Sequence, residues 1–469
     1  MSWPYASVCA PVASDLASPS GRLAAWSRLD AERRAERDAF SERWIGRLGG
    51  LALMATLLYL FIGSTPYVHE AVIDANTGGR VMNSVNRYSW IVLAALSAPI
   101  LWLRRQALPQ ALITLAPVIA LYGWFAATSL WALDPSASQR RLFIYVIELI
   151  ICLAVSLSQP DGRRLHTVMA WTCAIMIGID LFSWIFRYKV SMSELGLAAI
   201  HNHKNTLGAV MLICGLICWP YLATQKSWSG RAFWLAVLAG GFALLVASLS
   251  KTSLGIYVGV FAFTPVFLWV MSRGPRTFRS LIAAGIGLVI GTVFFYLAWC
   301  GVEALDPLAP IRGVTFTQRT DVWRFVIGEW RHHPWRGLGY GSFWDIDPMI
   351  QPSLQTDEWF AQPDSPTNEA HNGYLDILVT TGAIGLAGAL ALLFRWVFGA
   401  LAALRQALTA TDPGLQARRP YAVYQALLPL ILIGHNVTES SYFAGNSVFG
   451  FLILLLGVEL DLRRRQAEA

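Results

Sequence analysis

Runs of roughly twenty apolar residues recur along this chain from Ile45 to Leu460, the length an α-helix needs to cross a hydrocarbon core about 30 Å thick. Backbone N–H and C=O groups cannot stay unpaired in lipid, so these runs predict helices. A chain with 55% apolar and only 14% charged residues would also be unable to hydrate the surface of a soluble domain. The expected fold is an all-α polytopic membrane protein with about twelve transmembrane helices. The spans are Ile45–Gly63, Tyr88–Leu103, Gln110–Trp131, Leu142–Leu157, Leu165–Phe186, Leu207–Ala223, Ala232–Leu249, Ser253–Met271, Leu281–Cys300, Gly373–Phe398, Tyr421–His435 and Phe443–Leu460.

Lys and Arg between spans set the orientation, because cytoplasmic segments are enriched in them. Arg104, Arg105, Arg163, Arg164, Lys226, Arg231, Arg273, Arg276, Arg279 and Arg463 to Arg465 fall on one side, together with the amino-terminal arginines. Both termini are therefore expected in the cytoplasm. The chain divides into a cytoplasmic tail (1–44), spans one to nine (45–300), an outer loop or lid (301–370), spans ten to twelve (371–460) and a basic cytoplasmic tail (461–469). This asymmetry accounts for the basic pI of about 9.2 without any nucleic-acid partner. The first twenty residues are small, polar and proline-containing, and read as a disordered tail. Gly21–Arg47 places Leu23, Trp26 and Leu29 at helical spacing among arginines, as in a helix lying on an anionic leaflet or in a solvated charged helix. The six cysteines lack C-x-x-C spacing and read as packing residues.

The segment from Gly301 to Ala370 turns polar and is too long for an ordinary connection, which marks a functional lid. Within it, Thr317 opens a helix with Val322, Trp323, Val326, Ile327 and Trp330 on one face, and Arg319 precedes them on that face. Such an amphipathic helix is expected to lie flat on the membrane, with Arg319 turned down into the protein or headgroups and Arg324 and Glu329 turned away. Pro334 ends it, and Gly337, Gly339 and Gly341 let the chain turn sharply.

Ionisable residues at membrane depth are costly and so are functional candidates. Glu148, Asp180 and Asp376 all fall near the outer ends of spans. In Ile200–Gly208, His203, Lys204 and Asn205 stand just before a span, where helix-start amides and a Lys can hold an anion such as phosphate; the plain alternative is a polar turn capped by Asn205. Lys251, in Ser250-Lys-Thr252, either snorkels or binds phosphate. In Glu369-Ala-His371-Asn372, His371 has the chemistry of a general base. Glu439 is a further polar candidate, or a helix cap. No clustered Asp/Glu/His set has metal-ligand spacing and no P-loop is present, so neither a metal nor a nucleotide cofactor is expected.

Several motifs carry a resemblance to a known family: Phe316-Thr-Gln-Arg-Thr-Asp-Val-Trp323, His333-Pro-Trp-Arg-Gly-Leu-Gly-Tyr-Gly341, His371-Asn-Gly-Tyr374 followed by Gly382-Ala-Ile-Gly385, His203-Lys-Asn205, Ser250-Lys-Thr252 and Asn436-Val-Thr-Glu-Ser440. From about Leu121 onward the chain resembles the O-antigen ligases and bacterial polysaccharide polymerases, especially the exopolysaccharide-production polymerases. The resemblance implies a multi-pass enzyme of the bacterial inner membrane. It would work without a metal on the periplasmic face, taking an undecaprenyl-diphosphate-linked oligosaccharide as donor and an acceptor glycan, beside a chain-length regulator and export machinery. The family's outer-loop Arg corresponds to Arg319 and its loop-end His to His371. An earlier Arg used by ligases has Lys204 as its nearest counterpart, which loses the two-pronged geometry of a guanidinium.

The expected chemistry is an inverting glycosyl transfer. Lys204, Arg319 and Lys251 would hold the diphosphate, with His203, Asn205, Asn372 and Glu439 as further substrate contacts, and His371 would take the acceptor proton. Polymerase and ligase readings stay open at this level, with the two lysine motifs closer to the polymerases. A flippase or exporter of lipid-linked oligosaccharide is the alternative from another class, disfavoured because the candidate groups share one side.

Overall fold

The computed structural model describes residues 19–68, 84–159, 161–193, 196–303, 319–361, 367–443 and 445–468. The far amino-terminal tail, Arg312 and the Thr317 cap lie outside the described residues. Apart from a two-residue hairpin, Met192–Ser193 with Gly196–Leu197, the regular structure described is helical. The helices are α1 (Pro19–Ile62), α2 (Ser84–Leu103), α3 (Leu108–Thr114), α4 (Ala116–Thr128), α5 (Pro135–Ser158), α6 (Gly162–Phe186), α7 (Tyr188–Ser191), α8 (Lys204–Leu222), α9 (Trp228–Ala247), α10 (Lys251–Met271), α11 (Pro275–Val302), α12 (Arg319–His332), α13 (Gly373–Thr409), α14 (Pro413–Gln416), α15 (Arg419–Thr438) and α16 (Val448–Glu468).

The fold is thus an all-α polytopic membrane protein. Eight described helices are long and apolar enough to cross a membrane, or nine if the bent pair α2 and α3 forms one span. Each of the twelve expected spans falls on helix, and the third falls on two, α3 and α4. Between α2 and α3 the axis turns by 113°. The backbone helix of α1 is continuous from Pro19 to Ile62, with no break between the expected surface helix and the first span.

Local chemistry sets the helix starts. The Asp134 carboxylate accepts from the Ala137 amide ahead of Pro135, Asp161 accepts from Arg163 and Arg164, and Asn372 accepts from Tyr374 and Leu375. α8 is capped by His203, whose Nδ1 accepts from the Asn205 amide, and not by Asn205 as the preference for Asn at this position would have it. α8 and α15 are largely buried, α8 against α6, α9, α10 and α15, and α15 against α8 and α13. Gly208 lets the starts of α8 and α10 approach closely, since a Cβ there would sit 2.6 Å from Ser250 Cβ.

Within α13 the helix breaks at Gly382, whose φ of 70° is left-handed. The break frees backbone groups that the segment after α12 takes up: Leu338 N donates to Val379 O at 2.9 Å, Gly339 N to Thr380 O at 2.8 Å, and Ala383 N to Pro334 O at 2.8 Å. Gly337, Gly339 and Gly341 all have positive φ, as the expected sharp turns require. The loop is therefore stitched into a broken helix. It also has its own core of Val322, Val326, Leu338, Phe343, Trp344, Phe360, Ala370 and Val379. The apolar face of α12 is buried against this core and α13, where a surface-lying helix was expected to use it on lipid.

Candidate active site

Three carboxylates at membrane depth tie connections to the bundle. Asp376, in the first turn of α13, accepts from Trp344 Nε1 at 2.8 Å, from the Ala370 amide at 3.1 Å and from the Ser440 hydroxyl. Glu148 accepts from the Asn446 amide at 2.9 Å. Asp180 and His201 are fully buried and 3.1 Å apart, and the other ring nitrogen of His201 donates to Phe61 O at 2.8 Å. This joins α6 and the end of α1 to the turn that starts α8. From α5, Arg141 donates to the carbonyls of Gly341, Trp344 and Asp345 and so fixes the turn after α12. Each of these carboxylates, expected as a functional candidate, thus holds a connection in place.

Those ties bring together a polar cluster drawn from three elements. The Arg319 guanidinium, at the start of α12, donates to Thr438 O and, at 3.1 Å, to Glu439 Oε1. The other oxygen of Glu439 is 3.5 Å from His371 Nδ1, and Glu369 Oε1 is 2.8 Å from that same nitrogen. Arg319 is only 19% exposed and turned inward as expected, whereas Arg324 is 79% exposed. His371 adopts a left-handed φ of 48°, an uncommon conformation for a non-glycine residue.

Burial works against protonation of His371, but its hydrogen bonds to Glu369 and Glu439 outweigh it and raise the pKa to about 9. Burial likewise works against ionisation of Glu439, and the His371 and Arg319 contacts overcome it, holding the carboxyl below its ordinary range. The Nδ1 contacts leave Nε2 as the nitrogen that can meet a substrate. Glu369 was overlooked as a site residue at the sequence level, although it stands two residues before His371.

The donor atoms of Glu369, His371 and Glu439 all lie within 4.8 Å of one another. The sequence spacing gave no such cluster; two connections some seventy residues apart assemble it. One divalent ion would fit the number of donors. Arg319 already stands on Glu439, however, and with a protonated His371 it balances the two carboxylates.

Two cavities flank the cluster. One, of about 250 Å³, is lined by Asn205, Thr206, Ser250, Thr252 and Glu439, at the starts of α8, α10 and α16. Lys204 and Lys251 are the first residues of α8 and α10, beside this cavity's lining. The other, of about 320 Å³, is lined by Tyr340, Trp344, Asn368, Glu369, Asp376 and Tyr442, among others. Ser440 and Asn446 belong to both linings. Of the expected site residues, Arg319 and His371 both contact Glu439, Asn205 lies on the first cavity, and His203 and Asn372 use a side-chain acceptor to cap helices.

The O-antigen ligase family model matches residues 234–390, which include α12 and the start of α13. The chain is also 24% identical over 352 residues to the exopolysaccharide production protein ExoQ of Rhizobium meliloti (strain 1021), covering 73% of this chain and 76% of that protein. These matches accord with the fold, and the chain is a polytopic membrane protein with similarity to the O-antigen ligase family.

Proposed function

We propose that the protein is a metal-independent, inverting glycosyltransferase of the bacterial inner membrane. It transfers a glycan from undecaprenyl diphosphate to an acceptor sugar on the periplasmic face, polymerising exopolysaccharide or O-antigen repeat units. The observation that carries this reading is the meeting of Arg319 and His371 on Glu439 between two cavities.

His371 Nε2 takes the proton of the acceptor hydroxyl, and the freed oxygen forms a bond to the anomeric carbon from the face opposite the diphosphate. The sugar–phosphate bond breaks and its electron pair leaves on the diphosphate. Arg319, Lys204 and Lys251 stabilise that charge, together with the amides at the starts of α8 and α10. Removing one such donor typically costs about 3 kcal/mol of transition-state stabilisation. Arg319 and the imidazolium of His371 compensate Glu369 and Glu439 without a metal, and chelation by EDTA should leave the rate unchanged.

Reconstitution with Arg319→Ala and His371→Ala variants that still insert in the membrane tests the assignment. Near-normal product from either variant removes that residue from the mechanism. A deletion strain that accumulates single lipid-linked repeats on the outer face supports the enzyme, and accumulation on the inner face supports a flippase. The family model favours a second reading, ligation of the glycan to lipid A-core. Loss of every attached repeat, rather than of long chains alone, would establish it.

A further inference from the structure

Transfer requires two substrates within reach of one proton acceptor, and the two cavities differ in charge. In the 320 Å³ cavity, Asp345, Glu369 and Asp376 are three lining carboxylates. Arg141, which also lines it, directs its guanidinium to three backbone carbonyls. A diphosphate placed there would meet like charges. Uncharged hydroxyls, in contrast, can donate to carboxylates, and the aromatic wall of Trp344, Tyr442 and Phe443 offers apolar surface to sugar C–H groups. The volume falls in the range of small-ligand sites.

The position of His371 links the cavities. Its Nδ1 contacts Glu369, which lines the acidic and aromatic cavity, and Glu439, which lines the hydroxyl-rich one. We infer that the cavity between Tyr340, Trp344, Asn368 and Tyr442 is the acceptor site and receives the terminal sugar of an uncharged glycan, leaving the cavity at the starts of α8 and α10 to the lipid diphosphate. This assignment rests on the proposed transfer reaction. In it, Asn368 is a specificity residue whose amide meets acceptor hydroxyls.

The test uses the full-length protein in lipid nanodiscs. The donor is the lipid-diphosphate-linked repeat extracted from a strain lacking this gene, and the acceptor is the labelled lipid-free oligosaccharide released from it by mild acid. Asn368→Ala and the cavity-filling Asn368→Trp should raise the KM for the lipid-free acceptor about fivefold or more while the donor KM stays within about twofold. Thr252→Trp, in the other cavity, should do the reverse. A raised donor KM in the Asn368 variants, or no change in either KM, overturns the assignment. If the wild-type protein gives no transfer at all, the proposed reaction fails, and saturation-transfer NMR with the same oligosaccharide decides the cavity separately. A wild-type signal lost in Asn368→Trp supports the site; equal signals in both, or none in the wild type, overturn it.

Discussion

Replacing Glu369 with Gln should move the pH dependence of the reaction, because Glu369 is the nearer of the two carboxylates on His371 Nδ1, at 2.8 Å against 3.5 Å for Glu439. With a pKa of about 9, only about one His371 in a hundred is unprotonated at pH 7, and that fraction climbs about tenfold per pH unit. A general base of this kind gives a rate that rises with unit slope and levels off near pH 9. Gln keeps the shape of the side chain and loses its charge, so the break should fall toward 6.5, the ordinary value for His, and stop short of it because Glu439 remains. Each unit of fall raises the unprotonated fraction at pH 7 about tenfold, while the weaker base lowers the plateau.

Initial rates of transfer from pH 6 to 10 in the wild type and in Glu369→Gln are the assay. A break that stays in place would refute the coupling. A wild-type rate that falls through pH 9 would refute the base and make the imidazolium the working form. Stability gives an independent reading. The folded pKa lies above the ordinary one, so the His371 contribution is fully present below about pH 6.5 and is lost as pH rises through about 9. Thermal stability of the wild type should decline over that window more than that of Glu369→Gln.

Arg319→Ala should reduce turnover about a hundredfold or more, and Arg319→Lys should recover only part of it, since Lys keeps the charge without the fork that now spans Thr438 O and Glu439; single-turnover rates distinguish the two. His201→Ala should cost about 3 to 5 kcal/mol by leaving Asp180 buried and unpaired, whereas His203→Ala loses a helix cap worth about 1 kcal/mol; denaturation in detergent reads the difference. Gly382→Ala should prevent the loop from docking, because a Cβ would lie 2.1 Å from Trp335 O and the left-handed backbone costs a further 1 to 2 kcal/mol or so; limited proteolysis between residues 333 and 361 should speed up.

What the sequence made legible follows from the range of the interactions involved. Apolar runs mark their helices because lipid forces backbone pairing within a segment. The turns at Gly337, Gly339 and Gly341 and the inward face of Arg319 follow from local spacing. The break at Gly382 did not show, since Thr-Thr-Gly-Ala-Ile-Gly reads as an ordinary apolar stretch and its cause is a distant segment bonding to Val379 and Thr380. The parts played by Glu148 and Asp376 were hidden for a related reason. Their partners include backbone amides in remote loops, and an amide leaves no mark in the sequence. Glu439 could be read equally as a cap or a ligand until the fold brought Arg319 and His371 to its two oxygens.

The charges of the cluster give that arrangement a direction. With His371 protonated, two cations face two carboxylates, and Arg319 donates to both Glu439 and the Thr438 carbonyl. In the proposed reaction, an arriving diphosphate adds negative charge beside Lys204 and Lys251 and draws on the guanidinium that Glu439 holds. Where the guanidinium turns from Glu439 toward the diphosphate, the Glu439 charge falls more heavily on His371 3.5 Å away. The imidazolium becomes harder to deprotonate before transfer but a better resting place for the acceptor proton afterwards. In the proposed reaction, Glu439 is therefore a hinge of charge between leaving group and base, which explains why one carboxylate is shared between an Arg and a His that belong to different connections.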